Sequence, residues 1–246
     1  FHHIREAYHQ MIVQSRQDSI LPTVDWTQVD HVLLDMDGTL LDLEFDNTFW
    51  GQRIHEQYAR LNDISLQATV EKFTPIFRSV AGTLDWYATD FWSDQYGYDI
   101  LEYSRTFAEG IRFLPYAEDF LTALKRTGIR STIVTNAHPD ILALKNRHTG
   151  IADRVDEAIS SHSIGFAKES QYFWQRTQTR LGFNKAKTLF FDDSAAVINA
   201  ALKFGIAGSV SVCLPDTSRP KNVPHSNYAI DQFQDVWPSP LDVSER

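Results

Sequence analysis

Cysteine is nearly absent from this sequence: Cys213 stands alone. A lone thiol excludes an internal disulfide and fits a reducing compartment. It sits in the apolar run Val210 to Leu214, where a buried strand position is expected rather than a reactive group. Long apolar runs are missing as well, and nothing approaches the ~18 consecutive apolar residues of a membrane span. The first residues lack the charged-then-apolar layout of a secretory signal. A cytoplasmic protein with no membrane partner is therefore expected. Positive charge is scarce: 23 Lys and Arg face 32 Asp and Glu, a formal net charge of −9. That field argues against a nucleic-acid partner. A small anionic ligand stays open, because a local cluster of cations can override it.

Apolar material, by contrast, is ample. Of 246 residues 43% are apolar, and 16 Phe, 9 Tyr and 6 Trp supply bulk for a sizeable core. The length suits one large domain or a core with an insertion. Neither an internal repeat nor a low-complexity tract is present. Residues 1–24 read as an N-terminal extension, with Ile4, Tyr8, Met11 and Ile12 at the spacing of a short amphipathic helix.

From Val29 short apolar runs stop abruptly at polar clusters. His31–Leu34 ends at Asp35, Ser131–Val134 at Thr135 and Asn136, and Thr188–Phe191 at Asp192 and Asp193. Ala158–Ile159, Val210–Leu214 and Tyr228–Ile230 read as further strands. Helical stretches near 116–127, 139–149, 169–181 and 194–204 lie between them, with Gly128, Gly150, Gly182 and Gly205 as their stops. Alternation of this kind predicts an α/β fold, a Rossmann-like parallel sheet covered on both faces. Residues 25–43 and 112–246 form this core.

Residues 44–111 break the rhythm with helical periodicity only. Trp50, Ile54, Tyr58 and Leu61 form one stripe, and Leu66, Val70, Phe73 and Phe77 another. Pro75 is expected to kink or interrupt the second helix. The segment predicts an all-helical unit inserted between the first two core strands. Aromatics make up 14 of its 68 residues. Stacking on a planar group would use some of them, but a small helical unit needs most of them for its own core.

Ligands of open parallel sheets sit beyond the carboxyl ends of the strands. Three predicted strand ends thus bring together Asp35, Asp37, Asp192 and Asp193 with Thr135 and Asn136. Carboxylates this close repel by about 4 kcal/mol per pair at 4 Å and an effective dielectric near 20. A hard divalent cation with oxygen ligands would neutralise them, and Mg²⁺ suits such a site. A calcium loop is excluded, because glycine falls fourth rather than sixth from Asp35.

The stretch Leu33 to Asp42 (LLDMDGTLLD) resembles the signature of the haloacid dehalogenase superfamily. Thr135, Lys168 and the pair Asp192-Asp193 follow in that family's order. The resemblance implies an aspartyl-phosphate phosphatase with a helical cap over its site, which selects the substrate. In it Asp35 is the nucleophile and Asp37 the acid and base. Asp35, Asp37 through its carbonyl, and Asp192 hold Mg²⁺ or Mn²⁺, with Asp193 in support. Thr135 and the amide of Asn136 bind phosphoryl oxygens, and Lys168 balances charge. Many relatives have Pro after this lysine; Glu169 here reads as a helix-start acid. Relatives that displace halide lack the second aspartate, so Asp37 favours phosphate chemistry. The runs Phe45-Asp46-Asn47, Phe49-Trp50 and Thr135 to Pro139 further resemble the bacterial GMP/IMP nucleotidases of this superfamily. They imply a purine nucleotide as partner, with Asn47 and Arg78 as cap contacts. A phosphosugar phosphatase or mutase is the alternative, and a non-catalytic binder of the same fold a third reading. The oligomeric expectation is a monomer or a homodimer.

Overall fold

A computed structural model describes residues 24–226 and 228–238. The helix expected within 1–24 lies outside them. Six strands form one all-parallel sheet: β1 His31–Leu34, β2 Arg130–Thr135, β3 Glu157–Ser160, β4 Thr188–Asp192, β5 Gly208–Val212 and β6 Tyr228–Ile230, in the order β3-β2-β1-β4-β5-β6. The chain leaves β1 in one direction and returns beyond it with β4, so the order reverses at β1. Crevices of parallel sheets open at that reversal.

The strands are buried on both faces, as apolar runs in a parallel sheet require. Alternation then sends successive residues to opposite cores. Val32, Leu34, Leu189 and Phe191 join one cluster, while Leu33, Val134 and Phe190 join the other. Cys213 is buried just past β5, and its N–H donates to the Ile230 carbonyl.

Between β1 and β2 the regular elements are all helical. Those of residues 44–111 include α1 Glu44–Thr48, a π-helical turn Phe49–Arg53, α2 Ile54–Asn62, α3 Leu66–Val80, α4 Thr89–Tyr96 and α5 Ile100–Arg105. This cap has its own core of Phe49, Ile54, Tyr58, Phe73, Trp92, Tyr96 and Ile100. Phe73 stacks on Tyr96 at 3.9 Å, and Phe77 on Trp92 at 4.0 Å. Each large side chain fully buried there contributes roughly 1.5–3 kcal/mol. The expected stripes are only half used, since Leu61, Leu66 and Val70 are exposed. α2 and α3 meet through Tyr58 and Phe73, and the turn joining them, with Ile64, lies outside that contact. Nor does Pro75 end α3, which runs on to Val80. Pro75 and Glu71 are both exposed, so water can satisfy the carbonyl whose partner the proline removes.

The core helices are α6 Ala117–Thr127, α7 Pro139–Thr149, α8 Ser161–Ile164, α9 Gln171–Leu181 and α10 Ala195–Phe204. The four expected glycine stops all follow helix ends, with φ of 72° at Gly128 and 65° at Gly150. Helix α9 begins two residues later than expected, because Ser170 caps it by accepting from the Tyr172 N–H. Among the described residues no helix is long and apolar enough to cross a membrane.

Candidate active site

Register alone sets the two central carboxylates side by side. Leu34 pairs with Phe191 across β1 and β4, so the next residues, Asp35 and Asp192, are neighbours at the strand ends. The Asp35 N–H donates to the Phe191 carbonyl at 2.9 Å, continuing the ladder. Asp193 follows at the turn into α10. One oxygen from each of Asp35, Asp192 and Asp193 can lie within 4.8 Å of the others.

Lys168 enters this cluster as a buried ammonium. It donates to Asp35 Oδ1, and to Asp192 Oδ2 at 2.8 Å. Its backbone is fixed by the Asn136 carbonyl oxygen Oδ1, which accepts its N–H at 2.9 Å, and by Trp174 Nε1, which donates to its carbonyl at 2.8 Å. Burial pushes Asp35 up to about 7; Lys168 opposes the shift, while Asp192 and Asp37 add to it. Burial, with Asp192 and Asp35 close by, lifts Asp193 well above the usual carboxylate range. Burial alone would lower Lys168, but Asp192 and Asp35 outweigh it and hold the ammonium above its usual range. Three carboxylates against one ammonium leave two negative charges, which one divalent cation would cancel. The donor set, all hard oxygen, fits Mg²⁺ or Mn²⁺.

Asp37 is set apart from that cluster by its own partner. Lys145, buried on α7, donates to Asp37 Oδ1 and to Asp46 Oδ2, each at 2.6 Å. Core motif, core helix and cap helix α1 are thereby tied through one ammonium. Burial raises Asp46 to about 6 against the opposing pull of Lys145. Gly38 closes the motif's turn with φ +82°, and a Cβ there would stand 2.8 Å from Asp193 Cγ. Only glycine lets the loop pass so close to the acid.

Thr135 and Asn136, the expected phosphate-binding pair, carry structural bonds too. Thr135 Oγ1 accepts from the Ala137 N–H at 3.0 Å. Asn136 Nδ2 donates to Glu169 Oε2 at 3.1 Å, so its side-chain amide is engaged on both ends. Its backbone N–H has no protein partner among the described residues. Glu169 is no helix-start acid: it precedes the Ser170 cap and also accepts from the cap's Tyr87 hydroxyl at 2.9 Å. His138 opens α7, its Nδ1 accepting from the Asp140 N–H at 3.3 Å and lying 3.2 Å from Thr89 Oγ1 of the cap.

A cavity of ≈ 580 Å³ runs from Asp35, Asp37, Lys168, Asp192 and Asp193 up into the cap, where Trp50, Phe77 and Trp86 line it. Asn47 lines it as well, but its Nδ2 donates to Asp216 Oδ2 at 2.7 Å, so it braces the cap on the core. Arg78 is exposed and lies outside the lining, so the expected contact from it is not made. One turn of α3 carries both facts: Phe77 faces the cavity, and the next residue points away.

Lys145, Asp46, Tyr87 and His55 were not expected at the site. For Lys145 a signal exists, since it follows Ile141 by four residues and so shares the buried face of α7. Asp46 and Tyr87 owe their positions to cap–core docking and His55 to packing within the cap, which no local pattern encodes.

The haloacid dehalogenase-like hydrolase family matches residues 29–205. GMP/IMP nucleotidase YrfG of Escherichia coli (strain K12) is 37% identical over 216 residues, covering 88% of this chain and 97% of the relative. Among solved structures, a HAD phosphatase from Thermococcus onnurineus superposes with a TM-score of 0.70 at 22% identity, over 84% of this chain and 95% of that one. The HAD-hydrolase YfnB of Bacillus subtilis, bound to magnesium, gives 0.58 at 20% identity, over 84% and 96%. The chain belongs to the haloacid dehalogenase-like hydrolase family.

Proposed function

We propose that this chain is a phosphomonoester hydrolase acting on purine nucleoside 5′-monophosphates. The observation that carries the reading is the cavity floor, where the Lys168-bridged pair Asp35 and Asp192 lies beside a separately held Asp37. The likeness to a GMP/IMP nucleotidase supports the choice of substrate.

Asp35 attacks phosphorus through a carboxylate oxygen, and the bond from phosphorus to the ribose 5′-oxygen breaks. Covalent capture splits one hard displacement into two easier ones. Asp37 gives its proton to the departing oxygen and then takes one from the water that hydrolyses the aspartyl-phosphate. Lys168, the Thr135 hydroxyl and the Asn136 backbone N–H meet the charge on the phosphoryl oxygens. Mg²⁺ or Mn²⁺, held by Asp35, Asp192 and the Asp37 carbonyl with Asp193 in support, would supply further charge neutralisation. Asp37 is indispensable to the reading, because a binder that never breaks the ester has no alkoxide to protonate.

The test is phosphate release from GMP, IMP, AMP, pyrimidine monophosphates and sugar phosphates, each with Mg²⁺ and with EDTA. Metal-dependent release from GMP and IMP, lost by ~10⁴-fold or more in a folded Asp35→Asn variant, is the expected result. Release confined to sugar phosphates would discard the substrate. Wild-type rates in Asp35→Asn would discard the mechanism.

A further inference from the structure

The cap end of the cavity is walled by three large rings, Trp50, Phe77 and Trp86. Such walls favour a flat, polarizable ligand. Gly51, beside Trp50 in the π-helical turn, also lines the cavity, and a Cβ there would meet nothing within 4 Å. The π turn thus leaves open space where an ordinary side chain would project. Turns of this kind recur at functional sites.

Polar side chains lining the cap end are few, and most are already committed. Asp46 accepts from Lys145, Asn47 donates to Asp216, and the Tyr87 hydroxyl donates to Glu169. His55 differs. Its ring lines the cavity, with Nδ1 3.0 Å from the Tyr96 hydroxyl and Nε2 without a protein partner among the described residues.

The proton on that ring can be assigned from its neighbour. Tyr96 is buried, and among the described residues its hydroxyl finds no acceptor other than His55 Nδ1. A buried O–H donor left unmet costs about 1–3 kcal/mol, so Tyr96 donates to Nδ1. Neutral imidazole then carries its own proton on Nε2. Burial lowers the pKa of His55, which keeps the ring in this neutral form. The result is a fixed N–H donor among aromatic walls.

We propose that the cap end of this cavity is a base subsite, in which the Nε2–H of His55 donates to the 6-oxo oxygen of a purine stacked among Trp50, Phe77 and Trp86. The assignment rests on the nucleotide reading above and extends it to the atom that is read. A 6-aminopurine presents N–H groups to the same donor, leaving both unmatched, whereas hypoxanthine and guanine present an acceptor. The preference therefore lies at position 6 of the ring.

Inosine and adenosine differ at that edge and carry no phosphate, so their binding isolates the subsite from the chemistry. Quenching of tryptophan fluorescence measures it, since two cavity walls are tryptophans. Inosine is expected to bind ~10–100-fold more tightly than adenosine. His55→Phe should bring the two within about 3-fold by weakening inosine, while adenosine binding stays as in the wild type. His55→Gln, which keeps a donor at similar reach, should restore most of the preference. Tyr96→Phe frees the ring proton to sit on either nitrogen and should reduce the preference several-fold. The subsite is overturned if the wild type binds both nucleosides equally, or if His55→Phe and Tyr96→Phe both keep the full preference. Loss of adenosine binding in His55→Phe together with an unchanged preference in Tyr96→Phe would overturn it too. Inosine selectivity without phosphate release from IMP would sink the phosphatase reading and spare the subsite. Release from IMP without inosine selectivity would do the reverse.

Discussion

His31 shows how one buried group ties stability to pH. It opens β1, is 4% exposed, and its Nε2 lies 2.9 Å from Thr132 Oγ1 on β2. Burial, with Arg130 assisting, lowers its pKa from 6.5 to about 4. Between those values the unfolded chain binds a proton that the folded protein refuses. Stability therefore rises with pH across this window and falls as the solution is acidified from about 6.5 towards 4. The full swing from this group is at most about 3 kcal/mol. Urea midpoints measured from pH 7 to pH 4 should fall less steeply in His31→Gln than in the wild type. Equal slopes would mean that His31 is not the group responsible.

At the scale of elements, α7 does more than cover the sheet, because it delivers Lys145 to two carboxylates on different parts of the fold. Lys145→Met leaves the half-buried Asp37 and Asp46 together without their cation, which should cost about 1.5–3 kcal/mol in urea unfolding. Adding Asp46→Asn should recover part of that loss; no recovery would mean that the two acids do not share the lysine. Strand ends were legible in the sequence because the apolar runs of β1, β2 and β4 halt at acids or polar pairs. Parallel pairing then made Asp35 and Asp192 neighbours with little further information. Helix boundaries were legible from Gly128, Gly150, Gly182 and Gly205. Less could be read where helices meet helices. Leu61, Leu66 and Val70 fit an apolar stripe, yet α2 and α3 bury only its inner half. Phe77 and Arg78 are adjacent in sequence, and only the docking of α3 decides which of them faces the cavity. Tyr87, Thr89 and His55 gave no local signal, since their partners Glu169, His138 and Tyr96 lie 82, 49 and 41 residues away.

Across the whole molecule, cap and core bury separate apolar clusters, with Phe107 packed against both. Their meeting face is largely polar: Tyr87 with Glu169, Thr89 with His138, Asn47 with Asp216 and Asp46 with Lys145. The neutral bond contributes only ~0.5–1.5 kcal/mol and those to a carboxylate ~1.5–3 kcal/mol each, so the cap is held by a few polar ties, the Lys145 pair the strongest of them. Tyr87→Phe combined with Thr89→Ala should raise KM ~3–10-fold with kcat little changed, and shift Tm by only ~2–6 °C. A large drop in kcat at constant KM would instead assign these groups to the chemical step. The strand order has one more consequence, which concerns time rather than space. β1 is synthesised first, yet it lies at the centre of the sheet and both of its neighbours come later. From Asp35 to Asp192 the ribosome must add 157 residues, about 8–30 s at ~5–20 residues per second. Throughout that interval Asp35 exists without its carboxylate neighbour, and for most of it without Lys168. A nascent chain therefore carries the whole LLDMDGTLLD motif and the entire cap segment before the residue that completes the acidic centre has been made.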